Sequence, residues 1–323
     1  MTRIERKLAP EIRSSLSEGG VIPAHPLALD SSRRLDERHQ KALTRYYIAA
    51  GASGIAVGVH TTQFSIRERG LLEPVLRVAA ETVREAKLRH PFIKVAGVCG
   101  PTAQAVREAE LASSLGYHLA LVSPVGVEDW PERRLLERVR AIAEVMPVFG
   151  FYLQPAVGGR TLTNDFWREL MDIPGVMAIK VAPFSRYETS EVVRALANSE
   201  RRAQIALYTG NDDSILNDLM AQFHFKIDGR SVSLRFGGGL LGQFAIWTRF
   251  SVSLINKVRS FWKSGDKVRL TQELLRLSTE LTDANSAVFD ASNRFAGAIV
   301  GIQEVLRRQG LLRNRLTLNR NEE

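Results

Sequence analysis

Apolar positions along the chain follow two alternating patterns. Short runs rich in Val, Ile and Ala recur at 20–24, 54–59, 93–98, 118–123, 148–153, 176–181, 204–209 and 231–236. Their length and composition are those of buried strands. Between them, 34–50, 73–88, 102–115, 131–145 and 190–197 place apolar residues three and four apart, which is the period of an amphipathic helix. Strand starts are spaced by about 25 to 40 residues, the length of one strand–helix unit.

Helix-start chemistry agrees with this segmentation. Asp30-Ser31-Ser32, Pro101-Thr102, Asp129 ahead of Trp130-Pro131, and Thr163-Asn164-Asp165 all supply cap or first-turn residues. Eight such units end near residue 240, whereas a doubly wound sheet usually carries fewer strands. The pattern therefore predicts an α/β fold of the (β/α)8 TIM-barrel class. Past the barrel, 241–262, 267–281 and 286–309 read as three helices, with Gly310 as a C-cap. The expected division is a charged extension over 1–18, a barrel over 19–240 and a helical region over 241–323.

Composition narrows the class. At 45% hydrophobic and 24% charged residues the chain is that of an ordinary globular protein. A single cysteine, Cys99, excludes an intramolecular disulfide and a Cys-based zinc site. The six histidines show no paired helical spacing, so no metal site is expected. The polar start lacks a signal segment, and no apolar run reaches the roughly 18–20 residues of a membrane span. A cytoplasmic protein without a membrane partner is expected.

Charge opens a further question, because 44 Lys+Arg against 35 Asp+Glu leave +9. Nine of those cations and only two acids fall within 226–270. This stretch has no interleaved aromatic platform of the kind single-strand binders use. Nucleic acid is therefore not the expected partner. The stretch suits attraction of anionic substrates, or a subunit contact.

In a barrel, chemistry gathers where strands end. Alternation along the sixth run places Val176, Ala178, Lys180 and Ala182 on the inward face, so an ammonium group sits among small neighbours. Burial lowers the pKa of a lysine, and a neutral amine forms Schiff bases with carbonyls. The alternatives are a lysine paired with an acid and a rim lysine facing solvent. By the same alternation Val148, Gly150 and Tyr152 face inward from the fifth run. Tyr152 is then either a proton carrier beside Lys180 or a core tyrosine with a satisfied hydroxyl. Thr61-Thr62 after the second run offers hydroxyls and N–H groups to a carboxylate or a proton relay, which makes Thr61 a candidate catalytic residue. The run Gly237-Gly238-Gly239 reads as a flexible entry to the C-terminal helices.

Taken in order, Thr61-Thr62, Tyr152-Leu-Gln-Pro155 and Ile179-Lys180 resemble the dihydrodipicolinate synthase/N-acetylneuraminate lyase family over about residues 19–311. The resemblance implies a class I aldolase barrel, generally a homotetramer, that acts on pyruvate or another 2-oxo acid without a cofactor. It implies Lys180 as the Schiff-base lysine and Tyr152 as the proton relay. Thr61 and Thr62 become the carboxylate seat, and Thr209-Gly210-Asn211-Asp212 the turn after strand seven, with Gly210 against the substrate.

Departures from the family pattern are equally specific. His60 stands where the family motif has its first glycine, and Gln63-Phe64 replaces Gly-Glu. Pro124-Val125-Gly126 lacks the tyrosine of Pro-Tyr-Tyr, and Arg160 follows Tyr152 by eight positions rather than five. These changes point away from dihydrodipicolinate synthase itself and towards a lyase with a different second substrate. His60 is read as either a replacement acid/base or a packed pocket wall, and Arg160 as a holder of a second anionic group. Two other readings stand beside the lyase: a dehydratase of a 2-keto-3-deoxy sugar acid using the same imine, and a barrel that binds a 2-oxo acid without turnover.

Overall fold

The computed structural model describes residues 8–263 and 267–320. The N-terminal part of the expected extension, 1–7, lies outside the described residues. Seven of the predicted runs form parallel barrel strands: β1 (Val21–Pro23), β2 (Gly54–Val57), β3 (Ile93–Val98), β4 (Leu119–Val122), β5 (Val148–Leu153), β6 (Val176–Ala182) and β7 (Ala206–Thr209). The eighth run does not enter the barrel. It lies instead in an antiparallel hairpin of β8 (Phe223–Ile227) and β9 (Arg230–Leu234), outside the barrel sheet. The eighth barrel strand is β10 (Gly238–Leu241).

Space explains that exchange. A Cβ on Gly238 would stand 2.2 Å from the backbone N of Gly20, so only glycine lets β10 approach β1. The three-glycine run is thus a strand built for close packing rather than a flexible entry. The strand order is β1-β10-β7-β6-β5-β4-β3-β2. Closure is made by the N–H of Ser53 donating to Val21 O at 2.9 Å and that of His25 to Ala56 O at 2.8 Å. The result is the (β/α)8 barrel class that the periodicity predicts.

Two apolar groups hold it together. The larger lies between the strands and the surrounding helices. The smaller fills the interior with Ile22, Ala56, Val95, Leu121, Phe149, Met177, Tyr208 and Leu240. Leu8, Ile12 and Leu16 join this interior group, the last two from the helix Pro10–Glu18. Tyr208 donates its hydroxyl to Leu16 O at 2.9 Å. The later part of the expected outer extension is therefore a plug packed on the barrel. Its charged residues mask an Ile12-to-Leu16 stripe at four-residue spacing.

The helices run Glu37–Ala49, Leu72–Glu85, Thr102–Ser114, Glu132–Ala143, Asn164–Asp172 and Arg186–Asn198, then a short Ile215–Met220. Thr163 caps as its sequence predicts, accepting from the N–H of Phe166 at 3.2 Å. Asp36, not the Asp30-Ser31-Ser32 group, caps the first barrel helix. Asp30 turns the preceding loop by accepting from the N–H groups of Ser32 and Arg34. The C-terminal region consists chiefly of Thr248–Lys263, Lys267–Val288 and Ala298–Arg308, after a short Gln243–Ile246 turn of helix. The last long helix starts at Ala298 rather than 286, because 289–297 breaks into a tight bend over the barrel mouth. Among the described residues, no helix is long and apolar enough to cross a membrane.

Candidate active site

The candidate site is a cavity of about 70 Å³ at the C-terminal ends of the strands. That volume holds a few waters or a small organic acid. Lys180 enters it from β6, opposite Phe151 of β5 and Tyr208 of β7 in the strand register. Its Nζ lies over the Phe151 ring, 4.4 Å from the centroid. Burial lowers the Lys180 pKa to about 8, against the opposing pull of the Asp212 carboxylate. Asp212 lines the same cavity from the turn after β7, and burial pushes its pKa up to about 7. The expectation of an inward lysine among small residues is met.

Glycine makes room for that lysine. A Cβ on Gly210 would lie 2.5 Å from Lys180 Cε and 2.7 Å from Ala182 Cβ. Along β6, Ala178, Lys180 and Ala182 face inward, but Val176 turns towards the helices. The cause is a bulge: Val148 pairs with Val176 while Phe149 pairs with Ala178, leaving Met177 extra and directed inside.

β5 takes the parity opposite to the one expected. Phe149, Phe151 and Leu153 fill the interior, while Val148 and Tyr152 face the helix layer. A one-residue change of parity exchanges every side chain on a strand. Volume favours this choice, because Ala178 and Ala182 of the adjoining β6, paired with Phe149 and Leu153, leave space beside those larger side chains. Tyr152 packs at 5.0 Å on Trp167, with its hydroxyl buried in the helix layer near the Glu188 carboxylate. Burial and the Glu188 carboxylate drive its pKa further up. The expectation that Tyr152 faces Lys180 is therefore corrected.

The threonine pair divides in the same way. His60–Thr62 forms one turn of 3-10 helix after β2. Thr61 lines the cavity, and its buried Oγ1 has no partner. Thr62 is consumed by the backbone: it donates to His25 O at 2.6 Å and accepts from the N–H groups of Gly58 and Val59. The expected carboxylate seat thus keeps Thr61 and loses Thr62. His60 also lines the cavity, with its pKa lowered to about 4 by burial and the Lys180 charge, so its imidazole is neutral at pH 7.

Arg160 is not at the cavity. It donates Nη1 to the carbonyls of Glu128 and Trp130 at 3.0 and 2.5 Å, tying its loop to the turn after β4. The expectation that it holds an anionic group at the site is corrected, because the lengthened 156–159 loop carries it to that turn.

Residues that were not singled out complete the cavity. Gly210 and Asp212 of the expected turn after strand seven both line it, although no chemical role was read for Asp212. Gln154 follows β5, and Phe289, Phe295, Ala298 and Ile302 form a roof from the C-terminal region. Phe295 holds a left-handed φ of 67°, which is costly for an aromatic residue. Asp290 enforces it, accepting from Phe295 N–H at 3.0 Å and, through Oδ2, from Gly297 N–H at 3.2 Å. The Phe295 ring meets Phe184 edge-on at 5.3 Å. An open hollow of about 550 Å³ outside shares His60, Val157 and Phe295 with the cavity. Among the described residues, no group of three His, Cys, Asp or Glu side chains is placed to hold a metal.

Residues 17–229 match the profile described as the dihydrodipicolinate synthetase family. The chain is similar to an N-acetylneuraminate lyase of Citrobacter koseri, 28% identical over 205 residues, 62% of this chain. That match spans 65% of the relative's length, just under two thirds. Among solved structures, dihydrodipicolinate synthase of Acinetobacter baumannii complexed with pyruvate is 20% identical, with a TM-score of 0.73 over 93% of this chain and 91% of that one. The Aquifex aeolicus synthase gives 18% and 0.74 over 94% of both chains. N-acetylneuraminate lyase of Fusobacterium nucleatum gives 14% and 0.71 over 91% and 89%.

Proposed function

Because the chain belongs to the dihydrodipicolinate synthetase family, we propose that it is a Schiff-base lyase whose Lys180 condenses with pyruvate or another small 2-oxo acid. One observation carries the reading: an inward lysine, lowered to about 8, in a cavity with few other polar groups. The amine of Lys180 attacks the C2 carbonyl and the carbinolamine loses water. The resulting iminium is an electron sink that lets a neighbouring carbon–carbon bond break, or form with an aldehyde. The unpartnered Thr61 Oγ1 donates to the substrate carboxylate, and neutral His60 supplies a hydrogen bond rather than a charge.

Cavity size supports a small keto acid as the imine-forming partner. The open hollow beyond Phe295 is where a longer second substrate would extend. Assembly into a homotetramer and a cytoplasmic location belong to the same proposal.

Borohydride reduction in the presence of pyruvate tests the reading. The expected result is a stable mass increment on the peptide that contains Lys180. Its absence with a panel of 2-oxo acids would overturn the proposal. Products of turnover then separate carbon–carbon cleavage from loss of water, the dehydratase alternative. The outward Tyr152 favours one rival, a barrel that binds a 2-oxo acid without turnover. That rival predicts ligand-induced stabilisation that Lys180→Ala leaves intact.

A further inference from the structure

Imine chemistry at Lys180 needs a group that moves protons, and Tyr152 points away from it. We propose that Asp212 is that catalytic residue: its carboxylate takes the ammonium proton of Lys180 and returns it to the departing hydroxyl of the carbinolamine. This rests on the reading of Lys180 as the imine-forming lysine.

The turn that carries Asp212 is fixed from several sides. Gly210 N–H donates to Val181 O at 2.8 Å, which ties the turn to β6 just beyond the lysine. Thr209 and Asn211 both donate to the buried Asp218 carboxylate, at 2.5 and 2.9 Å. Asn285 donates to Asp212 O at 2.6 Å. These bonds hold the backbone, while the carboxylate itself is lightly engaged. Its Oδ1 accepts from the N–H of Gln243 at a long 3.4 Å. A carboxylate on a rigid turn, open to the cavity and sparsely bonded, is placed to exchange protons.

Other polar groups in the cavity suit the task less well. His60 is neutral down to about pH 4 and so is a poor proton donor at pH 7. Thr61 offers a hydroxyl, and Gln154 an amide that does not titrate. The titratable groups bearing on Asp212 are Lys180, His60 and the neighbouring Asp213 carboxylate. Burial pushes the Asp212 pKa up to about 7 and lowers that of Lys180 to about 8, which brings their proton affinities close enough for transfer between the two groups that line the cavity.

The step balances without any outside reagent. Lys180 ammonium and Asp212 carboxylate become amine and carboxylic acid. The nitrogen lone pair forms the N–C2 bond, and the proton lost from nitrogen goes to the former carbonyl oxygen. Asp212 then donates its proton to that hydroxyl, the C–O bond breaks, and water leaves. The iminium carries the positive charge and Asp212 is again a carboxylate.

Timed borohydride trapping with pyruvate, across about pH 5 to 10, compares the wild type with Asp212→Asn and Asp212→Glu. The wild-type rate is expected to be bell-shaped, falling in acid when both groups hold protons and in alkali when neither does. Asp212→Asn is expected to trap at least about 100-fold more slowly and to lose the alkaline fall, while Asp212→Glu recovers most of the rate. Should Asp212→Asn trap as fast as the wild type or faster, as mere electrostatic restraint of Lys180 predicts, the proposal falls and the Schiff-base reading survives. Should wild type form no adduct at any pH, both fall together. If Asp212→Asn does not fold by circular dichroism, the wild-type profile decides: a single rising limb overturns the proposal and a bell supports it.

Discussion

Two clusters of buried charge stand at the same rim of the barrel, and they are built in opposite ways. Beyond β2 and β3, Arg67 grips Glu108 through Nε at 2.9 and 3.1 Å and through Nη2 at 2.9 Å, and also reaches Gly97 O and Gly58 O. Glu108 accepts further from Gln104 and from Cys99 N–H. Across the barrel, Lys180 and Asp212 face a cavity with a ring contact and one long N–H bond. Saturated charges lock structure, whereas charges left short of partners keep their bonding capacity for a ligand. Charge and burial alone would not separate the two clusters. Hydrogen-bond saturation does.

The largest expected effect is at the unsaturated cluster. Lys180→Met should abolish borohydride trapping, a loss of about 1,000-fold or more. Fold stability should be unchanged or raised, because the ammonium is poorly compensated in its cavity. Intact mass after reduction and thermal melting read the two arms. A Lys180→Met variant that melts well below the wild type would show that the lysine serves the fold.

Glu108→Ala asks the reverse question. It strands Arg67, whose side chain is 10% exposed, and should cost about 3–5 kcal/mol in denaturant unfolding. The fraction still folded should trap 2-oxo acid at the wild-type rate. Loss of trapping with little loss of stability would merge the two clusters into one functional site.

Part of this contrast was legible in the sequence and part was not. Strand–helix alternation located seven of the barrel strands and placed Lys180 inside, because β6 resumes strict alternation after its bulge. The eighth strand was hidden because Gly238-Gly239 carries no apolar pattern, while the hairpin beside it alternates well. Tyr152 was misplaced because both faces of β5 are apolar, and nothing local chooses which of them enters the barrel. Thr61 and Thr62 are identical in type, and only the fold reveals that one hydroxyl is spent on His25 O and the other is not. Arg160 was lost to the length of its loop.

Those two threonines repeat the contrast on a smaller scale. Thr62→Val removes a hydroxyl that serves two N–H groups and one carbonyl, so it should cost about 1–3 kcal/mol of stability. Thr61→Val removes an orphan. It should leave the melting temperature unchanged or slightly higher, and weaken 2-oxo acid affinity by about 1 kcal/mol, roughly fivefold. Calorimetric titration beside thermal melting separates the pair. Equal melting losses for both would mean that Thr61 is as structural as its neighbour.

The smallest effect is expected where sequence resemblance pointed to one of the largest. Tyr152→Phe deletes a hydroxyl that is buried in the helix layer near the Glu188 carboxylate, while the ring keeps its contact with Trp167. Losing so weakly engaged a hydroxyl costs about 1 kcal/mol or less. The phenol faces away from Lys180, across the strand from Phe151, which does touch it. Trapping should therefore stay within about twofold of the wild type and the melting temperature should change little. Phe151→Ala, by contrast, removes the ring over Nζ and should slow trapping several-fold by letting water into the lysine's surroundings. If Tyr152→Phe instead cut trapping by about 100-fold, β5 would have to carry its tyrosine inside during the reaction. Asp212 would then lose its claim to the proton.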